Sequence, residues 1–382
     1  MTMNARPGLR RRVVYLSGTR ADFGLMRSTL LTMASEVDLS VAVTGIHLSD
    51  AFGHTVDEIR SSGLRIYGEI PVDVVSRTQQ SMGSAVGECL TGLTRLLGDQ
   101  RPDVLLLLGD RGEMLAGAIA ALHLGIVSIH IHGGERSGTV DEPVRHAISK
   151  LATYHLVATA QSRDRLVRMG EAPECVIVTG APGLDNLARD VALVPRDWRS
   201  QLGLADSSFI MALFHPVVQQ AGKAVEQTEA VLAALNATGL PVLWLDPNAD
   251  AGSLDVLYAL DKGALPVGSR RVRHLPRPLF CAAMQACSVL VGNSSSGIIE
   301  AASFGTPVVN IGDRQRLRER SMNVTDVAAR REDIEAALRD ALNHGRVPCD
   351  NVYGDGRAGE RISRLVGTLP IDSHVLEKVN SY

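Results

Sequence analysis

The chain has 382 residues, 45% of them hydrophobic and 21% charged, with a net charge of −3. That balance suits two ordinary globular domains with buried cores and excludes a disordered chain. An aromatic content of 4% on a slightly acidic chain argues against a nucleic-acid binder, which carries a basic face and stacking rings.

In chain order, the start "MTMNARPGLRRRVVYLSGTRAD" carries basic residues, but its apolar run stops at Ser17. That run is too short for a signal-peptide core or a membrane span, so a cytoplasmic protein without membrane contact is expected. Short apolar runs then alternate with helical patterns: "RVVYLS" and a helix, "LSVAVTG", a long helix around 78–99, "DVLLLLG", "GIVSIHI", "YHLVAT" and "CVIVTG". Runs this uniformly apolar are strands covered on both faces, and their alternation with helices makes a doubly wound parallel sheet. After "GAPGLDNLARDVALVPRDW" the pattern restarts with "FIMALF", "PVLWLD", "RVRHLP", "VLVGN" and "PVVNIG", separated by helical segments such as 222–238. The stretch 186–197 reads as a linker and 358–378 as a last helix with no strand after it. The expected fold is α/β, with two Rossmann-like doubly wound domains at 1–188 and 189–357 facing across a cleft. A C-terminal helical segment, 358–382, would pack back on the first domain. The five cysteines, Cys89, Cys175, Cys281, Cys287 and Cys349, are scattered without a Cys-x-x-Cys pair, so buried reduced thiols are the default.

In open parallel sheets ligands bind at the carboxyl ends of the strands, and the polar loops of this chain lie there. The loops are "SGTRAD", "GDRGEM", "HIHGGERSGTVDEPVRH", "FHPVV", "DPNADAGS" and "GNSSSGIIEA". His130 and His132 stand two apart after an apolar run, so a strand would place both on one face, and such a pair suits a metal. Equally, His130 could be a core residue donating to a backbone carbonyl. Gly133 and Gly134 suggest a backbone brought close to a ligand. In "GNSSSGIIEA" the exposed N–H groups and the hydroxyls of Ser294 and Ser295 form an anion pocket at a helix start. Arg20 and Arg314, each just beyond a strand, supply guanidinium forks for a diphosphate. Asp110, Glu135 and Asp141 supply carboxylates for acid–base work, and Asp141 doubles as a candidate cap of the helix that follows. No Walker lysine loop is present and no G-x-G-x-x-G follows a strand, which removes the usual markers of nucleotide hydrolysis and dinucleotide binding.

"GTRADFGLM", "GDRGEMLAGAIAA", "HIHGGERSGTVDEPVRHAISKLATYHLV", "TGAPGLDNL", "PNADAGS" and "GNSSSGIIEAASFGTPVVNIGDRQ" together resemble the hydrolysing UDP-N-acetylglucosamine 2-epimerases, which make N-acetylmannosamine. The resemblance runs collinearly from about residue 13 to 345 and implies the glycosyltransferase-B type of fold. It also implies elimination of UDP to a glycal followed by hydration, with no cofactor and no metal, in a homodimer or dimer of dimers that takes a UDP-sugar. On matching motifs, Arg20, Ser294, Ser295 and Arg314 would hold the diphosphate, Glu300 the ribose hydroxyls, and His215 the departing phosphate or sugar. Asp110 and Asp141 would be the acid–base carboxylates and Arg145 would orient their loop, while Asp22, His47 and Asn293 complete the substrate-binding set. At the position of His132 animal members and several bacterial ones carry glutamate, so His132, Glu135 and Asp110 all stand as candidates for the base at C2. Non-hydrolysing relatives typically carry "GTRPE" and an "EAG" turn where this chain has "GTRAD" and "HGGE", which implies hydrolysis. A UDP-2,4-diacetamido-6-deoxy sugar is the alternative substrate. The competing functions are a non-hydrolysing 2-epimerase, a glycosyltransferase, a metal-dependent amidohydrolase using His130, His132 and His215, and a nucleotide-sugar sensor.

Overall fold

The computed structural model describes residues 10–76 and 78–381; the basic start before Arg10, together with Arg77 and Tyr382, lies outside the described residues. The chain divides into two compact units, one formed by the segments ending at Glu135, Asp141–Asp185 and Tyr353 onward, the other by Arg136–Val140 and Asn186–Val352.

The first unit runs β1 (Arg12–Ser17), α1 (Arg20–Met33), β2 (Asp38–Thr44), α2 (Val56–Ser61), β3 (Arg65–Ile70), α3 (Gln79–Gln100) and β4 (Val104–Leu108). It continues with α4 (Gly112–Leu124), β5 (Val127–Ile131), α5 (Asp141–Leu151), β6 (Tyr154–Val157), α6 (Ala160–Arg168) and β7 (Val176–Val178). Its strands form a parallel sheet in the order β3-β2-β1-β4-β5-β6-β7. The second unit begins with α7 (Leu187–Ala192), α8 (Trp198–Gln201), β8 (Ile210–Leu213), α9 (Ala224–Thr238), β9 (Val242–Leu245) and α10 (Ser253–Lys262). It is completed by β10 (Arg270–Val272), α11 (Arg277–Ala286), β11 (Val289–Gly292), α12 (Ser295–Ile299), β12 (Val308–Ile311), β13 (Val324–Val327) and α13 (Arg331–His344). Here too all strand pairs are parallel, in the order β10-β9-β8-β11-β12-β13. The chain then returns to the first unit as α14 (Ala358–Thr368).

Both sheets have the doubly wound order, in which the chain builds outward to one side and then returns to build the other. The strand order reverses between β1 and β4 in the first sheet and between β8 and β11 in the second, and a crevice opens beyond the carboxyl ends at such a point. The central strands are buried along their length, as in "VLLLL" of β4 and "VLVG" of β11, because helices cover both faces. The edge strands β3 and β13 are half-exposed, "RIYGEI" and "VTDV", and so carry no apolar run to announce them; hydrophobic patterning predicts no strand at either place.

Two expected boundaries shift. The first unit ends at Asp185 and resumes at Tyr353, where 188 and 358 were expected, and residues 136–140 belong to the second unit. The helix expected over 358–378 stops at Thr368, because Leu369 precedes Pro370 and adopts ψ 141°, the extended conformation a following proline imposes. Helix α14 docks on α1: Ala358, Ile362 and Val366 join Phe23, Met26 and Leu30 in one core. Its N-terminus is capped from far away in sequence, since Asp185 accepts from the Ala358 N–H (2.9 Å) and from the Gly359 N–H. That cap explains the aspartate of "TGAPGLDNL". Burial raises the Asp185 pKa, against the lowering effect of these two amides.

Candidate active site

The reversal point of the first sheet is built by the turn from β1 into α1. Thr19 is the N-cap of α1 and forms a capping box with Asp22: the Asp22 N–H donates to Thr19 Oγ1 at 3.1 Å and the Thr19 N–H to Asp22 Oδ2 at 2.7 Å. The same carboxylate accepts from the Gly18 N–H (3.0 Å), Thr19 Oγ1 (3.0 Å), Tyr15 OH (3.2 Å) and Ser17 Oγ. His47 is fully buried between Ser17 Oγ (2.9 Å from Nε2) and Thr55 Oγ1 (2.8 Å from Nδ1). Burial raises the Asp22 pKa and lowers that of His47. Both residues were expected to touch substrate; their polar atoms also bond inside the protein, where they shape the turn that presents Arg20. Arg20 is half-buried at the first position of α1, and its guanidinium makes no hydrogen bond or salt bridge with another described residue. Burial lowers its pKa, with the nearby charge of Glu58 opposing.

Beyond β4 and β5 lies the titratable crowd. Strand β5 ends at Ile131, and His132 takes φ +65°, in the left-handed region. A side chain in such a conformation costs about 1–3 kcal/mol and marks a position that the surroundings over-determine. The one-face alternation of His130 and His132 is therefore broken by the turn at the strand end. His130 takes the core role: Nε2–H donates to the Gly109 carbonyl (2.7 Å) and Nδ1 accepts from Ser149 Oγ (3.0 Å). Burial pushes its pKa down to about 3, which keeps the ring neutral. His132 Nδ1 is hydrogen-bonded to Glu135 Oε1, and both side chains are buried. Arg145, fully buried on α5, donates through Nη1 to the Glu135 carbonyl (2.9 Å) and through Nη2 to Asp110 Oδ2. One guanidinium thus ties the loop after β4 to the loop after β5. Asp141 is the first residue within α5 and not its cap, a place where a carboxylate meets the positive end of the helix. Gly133 and Gly134 accommodate the protein itself: a Cβ on Gly134 would lie 2.4 Å from the Ser162 carbonyl oxygen, and one on Gly133 would lie 2.9 Å from Ser149 Oγ.

In the second unit the loops after β8 and β11 are locked together. The Asn293 side chain accepts from the His215 N–H (2.8 Å) and donates to the His215 carbonyl (2.8 Å), a two-bond clamp on the backbone. Asn293, expected to bind substrate, is 1% exposed, and its side-chain amide positions the His215 backbone. Gly292 has φ +138°, and a Cβ there would sit 1.8 Å from the Leu213 carbonyl oxygen, which restricts the position to glycine. The Asn248 N–H donates to His215 Nδ1 at 3.2 Å, placing the ring proton of the neutral form on Nε2. Ser294 caps α12, accepting from the Ser296 N–H (3.4 Å), and its hydroxyl lies 2.9 Å from that of Ser296. Helix α12 spans Ser295–Ile299 and gives way to a 3₁₀ turn, so its dipole is shorter than the expected helix would supply. Arg314 Nη1 and Gln315 Nε2 both donate to the Asn293 carbonyl, at 3.1 and 3.2 Å. Glu300 is 3% exposed and is ion-paired to Arg277. Burial works against the Arg277 charge, but Glu300 outweighs it and holds the guanidinium above its ordinary pKa.

The sequence profile of the family described as UDP-N-acetylglucosamine 2-epimerase matches residues 30–367. The chain belongs to that family. It is a UDP-sugar 2-epimerase, 46% identical over 375 residues to the UDP-N,N'-diacetylbacillosamine 2-epimerase (hydrolyzing) of Legionella pneumophila, covering 97% of this chain and 100% of that one. It is 31% identical to the UDP-N-acetylglucosamine 2-epimerase of Neisseria meningitidis serogroup B, over 93% and 95% of the two chains. Among solved structures, the Methanocaldococcus jannaschii UDP-GlcNAc 2-epimerase in complex with UDP-GlcNAc and UDP shares the fold with a TM-score of 0.80. It is 19% identical, with 93% and 99% of the chains covered.

Three features of the epimerase escape sequence reasoning. Arg277, which holds Glu300, sits at the start of α11 in a stretch without a motif. Asn248 orients His215, although only the surrounding "PNADAGS" stood out. Glu113 lies against the two glycines that follow β1 and β2, 3.2 Å from a Cβ built on Gly18 and 3.0 Å from one built on Gly45. The absence of side chains at those two strand ends is the signal that another group comes close.

Proposed function

We propose that this enzyme hydrolyses and epimerises a UDP-2,4-diacetamido-6-deoxy sugar, UDP-N,N'-diacetylbacillosamine, releasing UDP and the free sugar inverted at C2. The observation that carries this substrate is the 46% identity, end to end, with the Legionella protein described by that activity, against 31% with the Neisseria protein described by UDP-N-acetylglucosamine. UDP-N-acetylglucosamine is the second reading, which the Neisseria relative favours.

The reaction runs in two steps. In the first step a base takes the C2 proton, the electron pair of that bond forms the C1–C2 double bond, and UDP departs from C1 with the electrons of the C1–O bond. In the second step water adds its hydroxyl to C1, and a proton returns to C2 on the opposite face. The His132–Glu135 pair supports His132 as the base. With Nδ1–H donated to the Glu135 carboxylate, Nε2 is the basic nitrogen, and the imidazolium that forms is stabilised by the charge beside it. This histidine and glutamate together would replace the single glutamate of many relatives. Asp110, held by Arg145, and Asp141 at the start of α5 are the carboxylates for returning protons. Arg20, Ser294, Ser295 and Arg314 supply the positive charge and donors for the diphosphate, Glu300 the acceptor for ribose hydroxyls, and His215 an Nε2–H for the leaving phosphate.

The test offers both UDP-sugars to the purified enzyme in deuterated water, with released UDP and free sugar identified by mass spectrometry and NMR. The reading expects free UDP and a C2-epimerised sugar carrying one deuterium at C2, with kcat/KM higher for the diacetamido substrate. A higher kcat/KM for UDP-N-acetylglucosamine transfers the assignment to the second reading. A UDP-linked epimer as main product refutes hydrolysis.

A further inference from the structure

Outside the loops that carry the chemistry, the C-terminal segment reaches a buried carboxylate of the first unit. Glu171, 1% exposed, meets Lys378 Nζ (2.6 Å), Lys150 Nζ (2.7 Å) and His155 Nε2 (2.8 Å). Lys378 does more than neutralise it. Its ammonium also donates to the carbonyls of Ser149 (2.9 Å) and Ala152 (2.7 Å), the last turn of α5 and the residue just after it. Ser149 needs such a donor, because the Thr153 N–H that would continue the helix bonds the Ser128 carbonyl instead (3.0 Å). A lysine on the last carbonyls also complements the negative end of the helix. The segment is pinned further by Lys150 Nζ to Asn380 Oδ1 (2.7 Å) and by the Ser381 N–H to the Gly170 carbonyl (3.0 Å).

What Lys378 holds is the helix that sets the proton-transfer groups. Asp141, Arg145 and Ser149 recur every four residues along α5 and so share one face. Arg145 grips Asp110 and the Glu135 carbonyl, while Ser149 Oγ bonds His130, whose other nitrogen holds the Gly109 carbonyl next to Asp110. These contacts on Asp110 and its loop depart from α5 or from a residue that α5 holds. We propose that the C-terminal segment is a positioning element for this site, with Lys378 as the residue that sets the register of α5 and hence the placement of Asp110, Asp141 and Arg145. The inference rests on the proton-transfer role proposed above for those residues.

The experiment compares the full chain with Lys378→Met and Lys378→Arg, reading steady-state kinetics at about 20 °C and amide hydrogen exchange over residues 141–152. Lys378→Met is expected to lower kcat about ten- to hundredfold, as small misplacements of acting groups do, with KM changed less than about twofold. Exchange in α5 should rise while β1 to β4 stay protected, and Lys378→Arg, which keeps charge and donors, should recover most of the turnover. Unchanged kcat overturns the proposal, as does a fall in stability across the whole first unit with kcat intact in the folded protein. If Lys378→Met does not fold, Lys378→Gln takes its place with a smaller expected loss, judged by the same two readouts. Should the wild type turn over no UDP-sugar at all, the functional reading falls, and unaltered exchange in α5 would separately refute the hold by Lys378.

Discussion

Replacing Asp22 by alanine separates a residue that builds the site from one that touches substrate. The carboxylate satisfies two buried backbone donors, Gly18 N–H at 3.0 Å and Thr19 N–H at 2.7 Å, and accepts from three hydroxyls. The hydroxyls can turn to other partners, but the amides cannot, and each buried donor left without an acceptor costs about 1–3 kcal/mol. Two such donors give roughly 2–6 kcal/mol, and because burial already disfavours the ionised Asp22, the net loss falls in the lower half, about 2–4 kcal/mol. Urea unfolding followed by far-UV circular dichroism and by fluorescence localises the effect. Both tryptophans, Trp198 and Trp244, lie in the second unit, so fluorescence should keep its midpoint while the circular-dichroism transition gains an early phase. An Asp22→Ala protein that unfolds like wild type yet binds UDP-sugar more weakly would refute this reasoning and return Asp22 to the ligand.

Three further outcomes are expected. His132→Asn should keep shape while removing proton transfer, cutting kcat by about 10² or more with KM little changed, whereas His132→Glu should retain measurable turnover; a fully active His132→Asn enzyme would reassign the base. The three partners of Glu171 outweigh its burial and hold its pKa down to about 2, from an ordinary 4.5. A depressed carboxylate stabilises the fold above its unfolded value and loses that contribution as pH falls through the folded one. Wild type should therefore lose stability relative to Glu171→Gln between pH 4.5 and about 2, in thermal melts at fixed ionic strength. Turnover should survive EDTA, since Arg20, Arg314 and the loop amides supply the positive charge at the diphosphate; loss on chelation with recovery on adding a divalent ion would refute that assignment.

The sequence by itself determined the alternation of strands and helices, the restart near 190 and the loops that carry polar side chains. Apolar runs such as "VLLLL" are written into any strand covered on both faces, and turns such as "GNSSSG" need residues that few other positions tolerate. Family resemblance added which loops belong to one reaction. It did not say how each side chain serves, because a clamp and a ligand contact recur in a motif equally well. Asp22, His47 and Asn293 stand among substrate-binding motifs, yet they face inward to the capping turn and the His215 backbone. Edge strands β3 and β13 were invisible because solvent on one side relaxes the apolar pattern. The contacts that set the chemistry span distances no local pattern encodes: Arg145 reaches Asp110 across 35 positions, Asp185 caps α14 across 173, and Lys378 holds Ser149 across 229. Only the strand order decides which loops become neighbours, since a parallel sheet joins strands through crossovers and brings β1 beside β4, and β8 beside β11.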